Sequence, residues 1–243
     1  MSGVLLGLFI LVSYTIEAMT GFGSIVIALS LGAIILPIDT LLPILVPLNL
    51  GLSGYLVINH RQHIQWPLLL KVIAPLMLLG TLVGIALRPT LGNQLLATLL
   101  AVLVAGFGAR ELWKARRNIL ERPHRRSVNQ LLIAAAGITH GLFASGGPLL
   151  VFALAGNRLN KAQLRATLLT VWFSLNALLT CQFALQGQLQ SALSDIAIYL
   201  PLVVGGLFLG DYLHQRVSEH HFKQWVYGVL TVVGVLLLVR AAL

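Results

Sequence analysis

Apolar positions along the chain fall into long runs separated by short polar or basic loops. A helix needs about 20 mostly apolar residues to cross a bilayer. Runs 40–58, 67–87, 95–112, 164–185, 196–213 and 222–238 fit that length and predict spanning helices. Two further runs are broken. The first, 4–36, is too long for one straight helix and is interrupted at Gly21-Phe-Gly23; the second, 131–155, is interrupted at Ser145-Gly-Gly-Pro148. Broken backbone in lipid is costly, because freed N–H and C=O groups find no water; it persists where it is buried in protein or lines a cavity. The two breaks therefore predict the two sides of one solute site.

The runs repeat. Pro75-x4-Gly80-x3-Gly84 recurs as Pro201-x4-Gly206-x3-Gly210, an offset of 126 residues. At that offset Leu96 meets Phe222 and Gly108 meets Gly234, while Gly23 matches Gly147 and Asn49 matches Asn176 at nearly the same spacing. Self-similarity in a fixed order marks an internal duplication. We expect one transmembrane domain, 1–243, with repeat 1 over about 1–117, a basic linker at 110–127 and repeat 2 over about 128–243.

Composition agrees with a membrane solvent. The 243 residues are 58% hydrophobic and 9% charged, with mean hydropathy +0.91, whereas a soluble domain carries about 25% charge. The first run has no basic leader and no small-residue cleavage pattern, so it reads as a structural segment and not as a signal peptide. The net charge of +9 does not call for nucleic acid here, since the bases lie in short loops where they set topology. One cysteine, Cys181, excludes a disulfide within the chain.

The same charges choose between two topologies. If all eight runs cross, Arg158, Lys161, Arg165, Arg216 and Lys223 lie on the side opposite the linker, against the positive-inside bias. If the two broken runs are hairpins that enter and leave on one side, those bases join Arg61, Lys71 and the linker in the cytoplasm. Only Arg88 and Arg240 then lie outside, and Asp39 and Asp195 flank base-poor outer loops. The second arrangement gives an all-α polytopic membrane protein of two inverted repeats. Each repeat has one broken, re-entrant hairpin and three spanning helices, a plan that recurs in secondary transporters. Eight plain crossings with a weak charge bias are the alternative.

In the inverted arrangement the hairpin tips meet near the midplane, and a new half-helix starts after each, at Ser24 and at about Pro148. Helix starts direct free N–H groups and a positive dipole end at an anion, and proline suits a first turn. The candidate binding set is Thr20, Gly21, Gly23 and Ser24 on the first tip, and Ser145, Gly146, Gly147 and Pro148 on the second. Tight helix packing is the alternative use of such small residues. Asn49 and Asn176, at matching mid-helix positions, complete the set as buried amides that need partners. Glu17, one turn before Gly21, is the one carboxylate deep in an apolar run. His140 stands in the matching place before the second break. Both are candidates for proton coupling; a neutral hydrogen-bonded Glu17 and a packed His140 are the structural alternative. Lys71 and Asp211 reach an interface by snorkelling. His60 with His63, and the pair His220–His221, match metal spacing only in loops. No catalytic, metal or cofactor signature is found, so neither an enzyme nor a cofactor protein is expected. The Gly80/Gly84 and Gly206/Gly210 faces leave two partners open, the other half or a second subunit in a homodimer.

The stretch Gly146-Gly-Pro-Leu-Leu-Val151, the Arg165-Ala-Thr167 that opens the sixth run and the duplicated Pro-x4-Gly-x3-Gly together resemble the sulfite exporter TauE/SafE family over nearly the whole chain. The first break departs from the family's glycine-rich form, having two glycines around the bulky Phe22. The resemblance implies a bacterial inner-membrane transporter of small sulfur anions such as sulfite, thiosulfate and sulfonates like sulfoacetate, with the lipid bilayer and the anion as its partners. The expectation is a secondary exporter working by alternating access. A passive anion facilitator and a non-transporting membrane subunit of a sulfur-metabolising complex are the alternatives.

Overall fold

In the computed structural model, residues 2–117, 125–154, 159–214, 216, 228 and 231–239 are described. Parts of the basic linker, including Arg122, lie outside them, as do Arg158, the His220–His221 pair, Lys223 and Arg240. Every regular element among the described residues is helical. Lipid offers no partner for backbone groups, so a segment that satisfies its own N–H and C=O groups is the available solution.

The first run forms α1 (Ser2–Thr20) and α2 (Ser24–Gly32). α3 (Ile38–His60) follows, then α4 (Trp66–Leu68), a π-helical turn (Leu69–Ile73) and α5 (Ala74–Leu87). Pro75 accounts for the π turn: its ring crowds the carbonyl four residues back and it has no N–H to donate, so the preceding turn widens. α6 (Asn93–Arg117) closes the first half of the chain. The second half repeats the order with α7 (Arg126–Phe143), α8 (Gly147–Leu154), α9 (Lys161–Leu185) and α10 (Gln188–His214), and residues 231–239 are again helical.

Six of these helical segments are long and apolar enough to span a membrane. Their outer faces carry large apolar side chains such as Leu79, Val102, Leu185 and Phe208, as a lipid-facing surface does. Both broken runs fold back at the break. Ser24 is bonded to Glu17 near the first tip, and a Cβ on Gly32 would stand 3.5 Å from Leu6 further along, so α2 runs antiparallel to α1. The arms are unequal. α1 has 19 residues and α2 has 9, about 28 and 14 Å at helical rise. The first arm is therefore of full spanning length, longer than a dip to the midplane requires.

Three pairings make the bundle: α1 with α10, α5 with α7, and α3 with α9. Glycine sets the first two. A Cβ on Gly80 would lie 2.9 Å from the Cα of Gly137, and one on Gly84 2.9 Å from the Cα of Gly141, so α5 and α7 touch backbone to backbone. Gly206 and Gly210 meet α1 at Leu11, Thr15 and Ala18 in the same way. The glycine faces are thus covered within one chain, which resolves the choice of partner left open by the sequence. Gly84→Val would push a branched side chain into backbone that cannot rotate away. It is expected to destabilise the fold by about 3 kcal/mol, read as a drop of several degrees in the unfolding midpoint in detergent. An unchanged midpoint would contradict the contact.

An ion pair stands at a helix junction in each half. Arg88 Nη2 meets Asp39 Oδ1 at 2.5 Å, and Arg165 Nη2 meets Asp211 Oδ1 at 3.3 Å. Asp39 and Arg165 both lie in the first turns of their helices, α3 and α9, so the two pairs have opposite polarity.

Candidate functional site

The first tip is shaped by two left-handed glycines, Gly21 (φ 84°) and Gly23 (φ 110°), a conformation that other side chains resist. Gly21 N–H donates back to the Glu17 carbonyl at 2.7 Å. Thr20 Oγ1 lies 2.8 Å from the carbonyls of Ile16 and Phe22 and closes the turn. α2 then starts, and the free N–H of Ser24 donates to Glu17 Oε2 at 2.9 Å.

From Glu17 a chain of hydrogen bonds crosses the molecule. Asn49 Nδ2 donates to Glu17 Oε1 at 2.8 Å and to Ser24 Oγ at 2.7 Å; Asn176 Nδ2 donates to Asn49 Oδ1 at 2.6 Å. Its direction is fixed at one end. With both Glu17 oxygens accepting, Asn49 presents its amide nitrogen to Glu17, its oxygen then faces Asn176, and Asn176 in turn presents nitrogen. The Asn176 oxygen is left over, with no partner among the described residues. Glu17, Asn49 and Asn176 are each at most 2% exposed.

The second tip has the same outline with different chemistry. α7 ends at Phe143, and Ala144 takes the left-handed conformation (φ 51°), its N–H donating to the His140 carbonyl at 2.6 Å. Gly146 packs on the Ala136 carbonyl, with a Cβ position 3.1 Å from that of His140, so no side chain fits there. The His140 ring stacks on Trp172, centroids 5.7 Å apart and planes 16° from parallel. Trp172 Nε1 donates to the Gly21 carbonyl at 3.1 Å, which ties the second tip's aromatic pair to the first tip. Asn176 sits beside His140, yet neither ring nitrogen has a hydrogen bond of ordinary geometry among the described residues, nor does Ser145 Oγ.

Between the tips is a narrow, partly open cavity of about 20 Å³. Glu17, Gly23 and Asn49 line it from one side, and Ser145, Gly147, Pro148 and Asn176 from the other. Thr20, Gly21, Ser24, Gly146 and His140 stand behind that wall: they shape the turns, hold Asn49 or, for His140, back the Trp172 ring. Trp172, Ala144, Ile25 and Val26 also line the cavity and were not found from sequence. Trp172 was within reach of a spacing argument, since it lies one helical turn before Asn176 on the same face of α9. From sequence, Arg165 reads as a topology-setting base and as the first residue of the Arg165-Ala-Thr167 motif, with no buried role. It is 8% exposed, and its guanidinium holds the Ala18 carbonyl at the end of α1 as well as Asp211.

Helices long enough to cross a bilayer and apolar toward the outside, with a cavity between two interrupted helices, define a multi-pass integral membrane protein. The chain matches the sulfite exporter TauE/SafE family over residues 5–237 and belongs to that family. It is a transporter, not an enzyme. A relative from Cupriavidus necator, described as a probable sulfite/organosulfonate exporter TauE, is 26% identical over 233 residues, covering 93% of this chain and 89% of the relative. No solved structure matches the chain.

Proposed function

We propose that this protein exports small sulfur-containing anions, sulfite and organosulfonates foremost and thiosulfate with them, by alternating access across a bacterial inner membrane. The observation that carries the proposal is the cavity between two broken-helix tips, lined in part by Glu17, Asn49, Ser145 and Asn176. Family membership and the name of the Cupriavidus necator relative support the substrate class. The second tip offers what a small oxyanion needs: the helix start at Gly147, the Ser145 hydroxyl and the second amide N–H of Asn176. Inverted repeats, with the basic linker cytoplasmic, are part of the same proposal. Exchanging α1–α3–α5 for α7–α9–α10 turns the pairing of α1 with α10 into that of α7 with α5 and leaves α3 with α9 unchanged, as a two-fold relation between halves requires.

Proton coupling through Glu17 and His140 belongs to the carrier reading. One observation favours a passive facilitator instead: both oxygens of Glu17 are already hydrogen-bonded, which gives the carboxyl a structural task. The two are separated in proteoliposomes containing this protein alone, with sulfite, thiosulfate, sulfoacetate and chloride compared under imposed pH gradients. Accumulation of a sulfur anion against its own gradient, lost in Glu17→Gln, is the result expected of a coupled carrier. Movement only down the anion's gradient, surviving Glu17→Gln, identifies a facilitator. No movement of any sulfur anion by folded protein overturns the proposed function.

A further inference from the structure

We propose that the transported anion is bound by the second tip alone, against the start of α8 and Ser145, because the Glu17 side chain fills the corresponding anion place on the first tip. The inference rests on the anion-transport reading and specifies where in the cavity the anion sits.

The first tip already holds a carboxyl group in the manner of an anion at a helix start. One Glu17 oxygen takes the first N–H of α2, and the other takes the amide of the mid-helix asparagine. The chain supplies this acceptor itself, from one turn upstream.

The second tip is built on the same frame. His140 precedes left-handed Ala144 by four residues, as Glu17 precedes left-handed Gly21. A new helix begins within three residues of each, at Gly147 and at Ser24, and a mid-helix asparagine, Asn176 or Asn49, stands beside each. The acceptor is what differs. Where the first tip has a carboxyl group, the second has an imidazole, and the start of α8 receives no acidic side chain from His140. A hydroxyl there is also left over: Ser145, 4% exposed, lines the cavity with its Oγ unpartnered among the described residues. Native interiors rarely leave such groups unsatisfied. Glu17, Ser24 and Asn49 satisfy one another. Of the two tips, the second has the donors still without an acceptor, and they suit a small oxyanion: the Ser145 hydroxyl and the helix-start N–H of Gly147.

The test uses the full chain in lipid nanodiscs, with sulfite and the oxidation-resistant methanesulfonate as probes. Ser145→Ala is expected to raise the half-saturation concentration at least tenfold, the usual effect of one hydrogen bond to a charged group, and Ser145→Thr, which keeps the hydroxyl, to stay near the wild type. Wild-type binding by Ser145→Ala overturns the inference and leaves the transport reading standing. Failure of the wild-type chain to bind either probe overturns both. A second variant tests the first tip without reference to substrate. Glu17→Ala strips that tip of its acceptor, so formate should raise the unfolding midpoint of this variant and not of the wild type. Equal formate response in the two proteins overturns the equivalence of Glu17 with a bound anion.

Discussion

Asn49→Leu is expected to abolish sulfite flux and to lower stability by roughly 3 to 5 kcal/mol. Asn49 stands at the centre of the polar chain, donating to Glu17 and Ser24 and accepting from Asn176. Leucine fills similar space but leaves Glu17 Oε1, Ser24 Oγ and Asn176 Nδ2 without this partner in a site water scarcely reaches. Each stranded group costs about 1–3 kcal/mol, and partial relaxation keeps the total below their sum. Asn176→Leu removes one bond of the chain, so its effect should be smaller. Unfolding midpoints of the two single variants and the double variant would form a cycle, with strong coupling expected because the two amides are directly bonded. Full flux and an unshifted midpoint in Asn49→Leu would show that the chain of hydrogen bonds organises nothing.

Arg165→Ala is expected to lower stability by about 2–3 kcal/mol and to weaken sulfite binding as well. The last carbonyls of α1 have no partner within their own helix, and a cation there is favourable. Arg165 supplies it at Ala18, and its stem lies against Gly21, where a Cβ would stand 2.6 Å from Arg165 Cγ. Its other partner matters less. The Asp211 side chain is 44% exposed, so the ion pair is screened and Asp211→Asn should change stability by under about 1 kcal/mol. Lysine at position 165 should not rescue, since a single ammonium cannot reproduce the planar fork. The readouts are the unfolding midpoint and the sulfite half-saturation of each variant; the latter rises in Arg165→Ala because Gly21, through Trp172, positions the cavity wall. Equal effects of Arg165→Ala and Asp211→Asn would place the importance in the ion pair and not in the helix end.

What could be read from the sequence is what local rules govern. Gly21, Gly23 and the Ser145–Pro148 stretch located both breaks, because glycine and proline limit backbone geometry wherever they stand; the half-helices start at Ser24 and Gly147, within a residue of expectation. Asn49 and Asn176, matched by their repeat spacing, are bonded to each other. What could not be read is lateral. The small faces of α5 and α10 would accept any other small face, so their partners α7 and α1 depend on the whole packing arrangement. Trp172 reaches Gly21 across 151 positions in sequence, and Arg165 reaches Ala18 across 147. Arg165 was further disguised by its place in the first turns of α9, where a base resembles a topology signal. Its counterpart by repeat spacing, Asp39, has the opposite charge, so residue identity concealed the relation.

The pairing of α1 with α10 bears on how the chain comes into being. Tyr199 Oη donates to the carbonyl of Gly3, 196 residues earlier. At ordinary elongation rates of about 5–20 residues per second, α1 waits some 10–40 s on the ribosome's clock before that neighbour has been made. Its buried acid does not wait as long. Ser24 follows Glu17 by 7 residues and Asn49 by 32, so both oxygens find donors while the nascent chain is still short. The N-terminal hairpin can thus enter lipid with its most demanding side chain already shielded, and remain there until the last partners arrive.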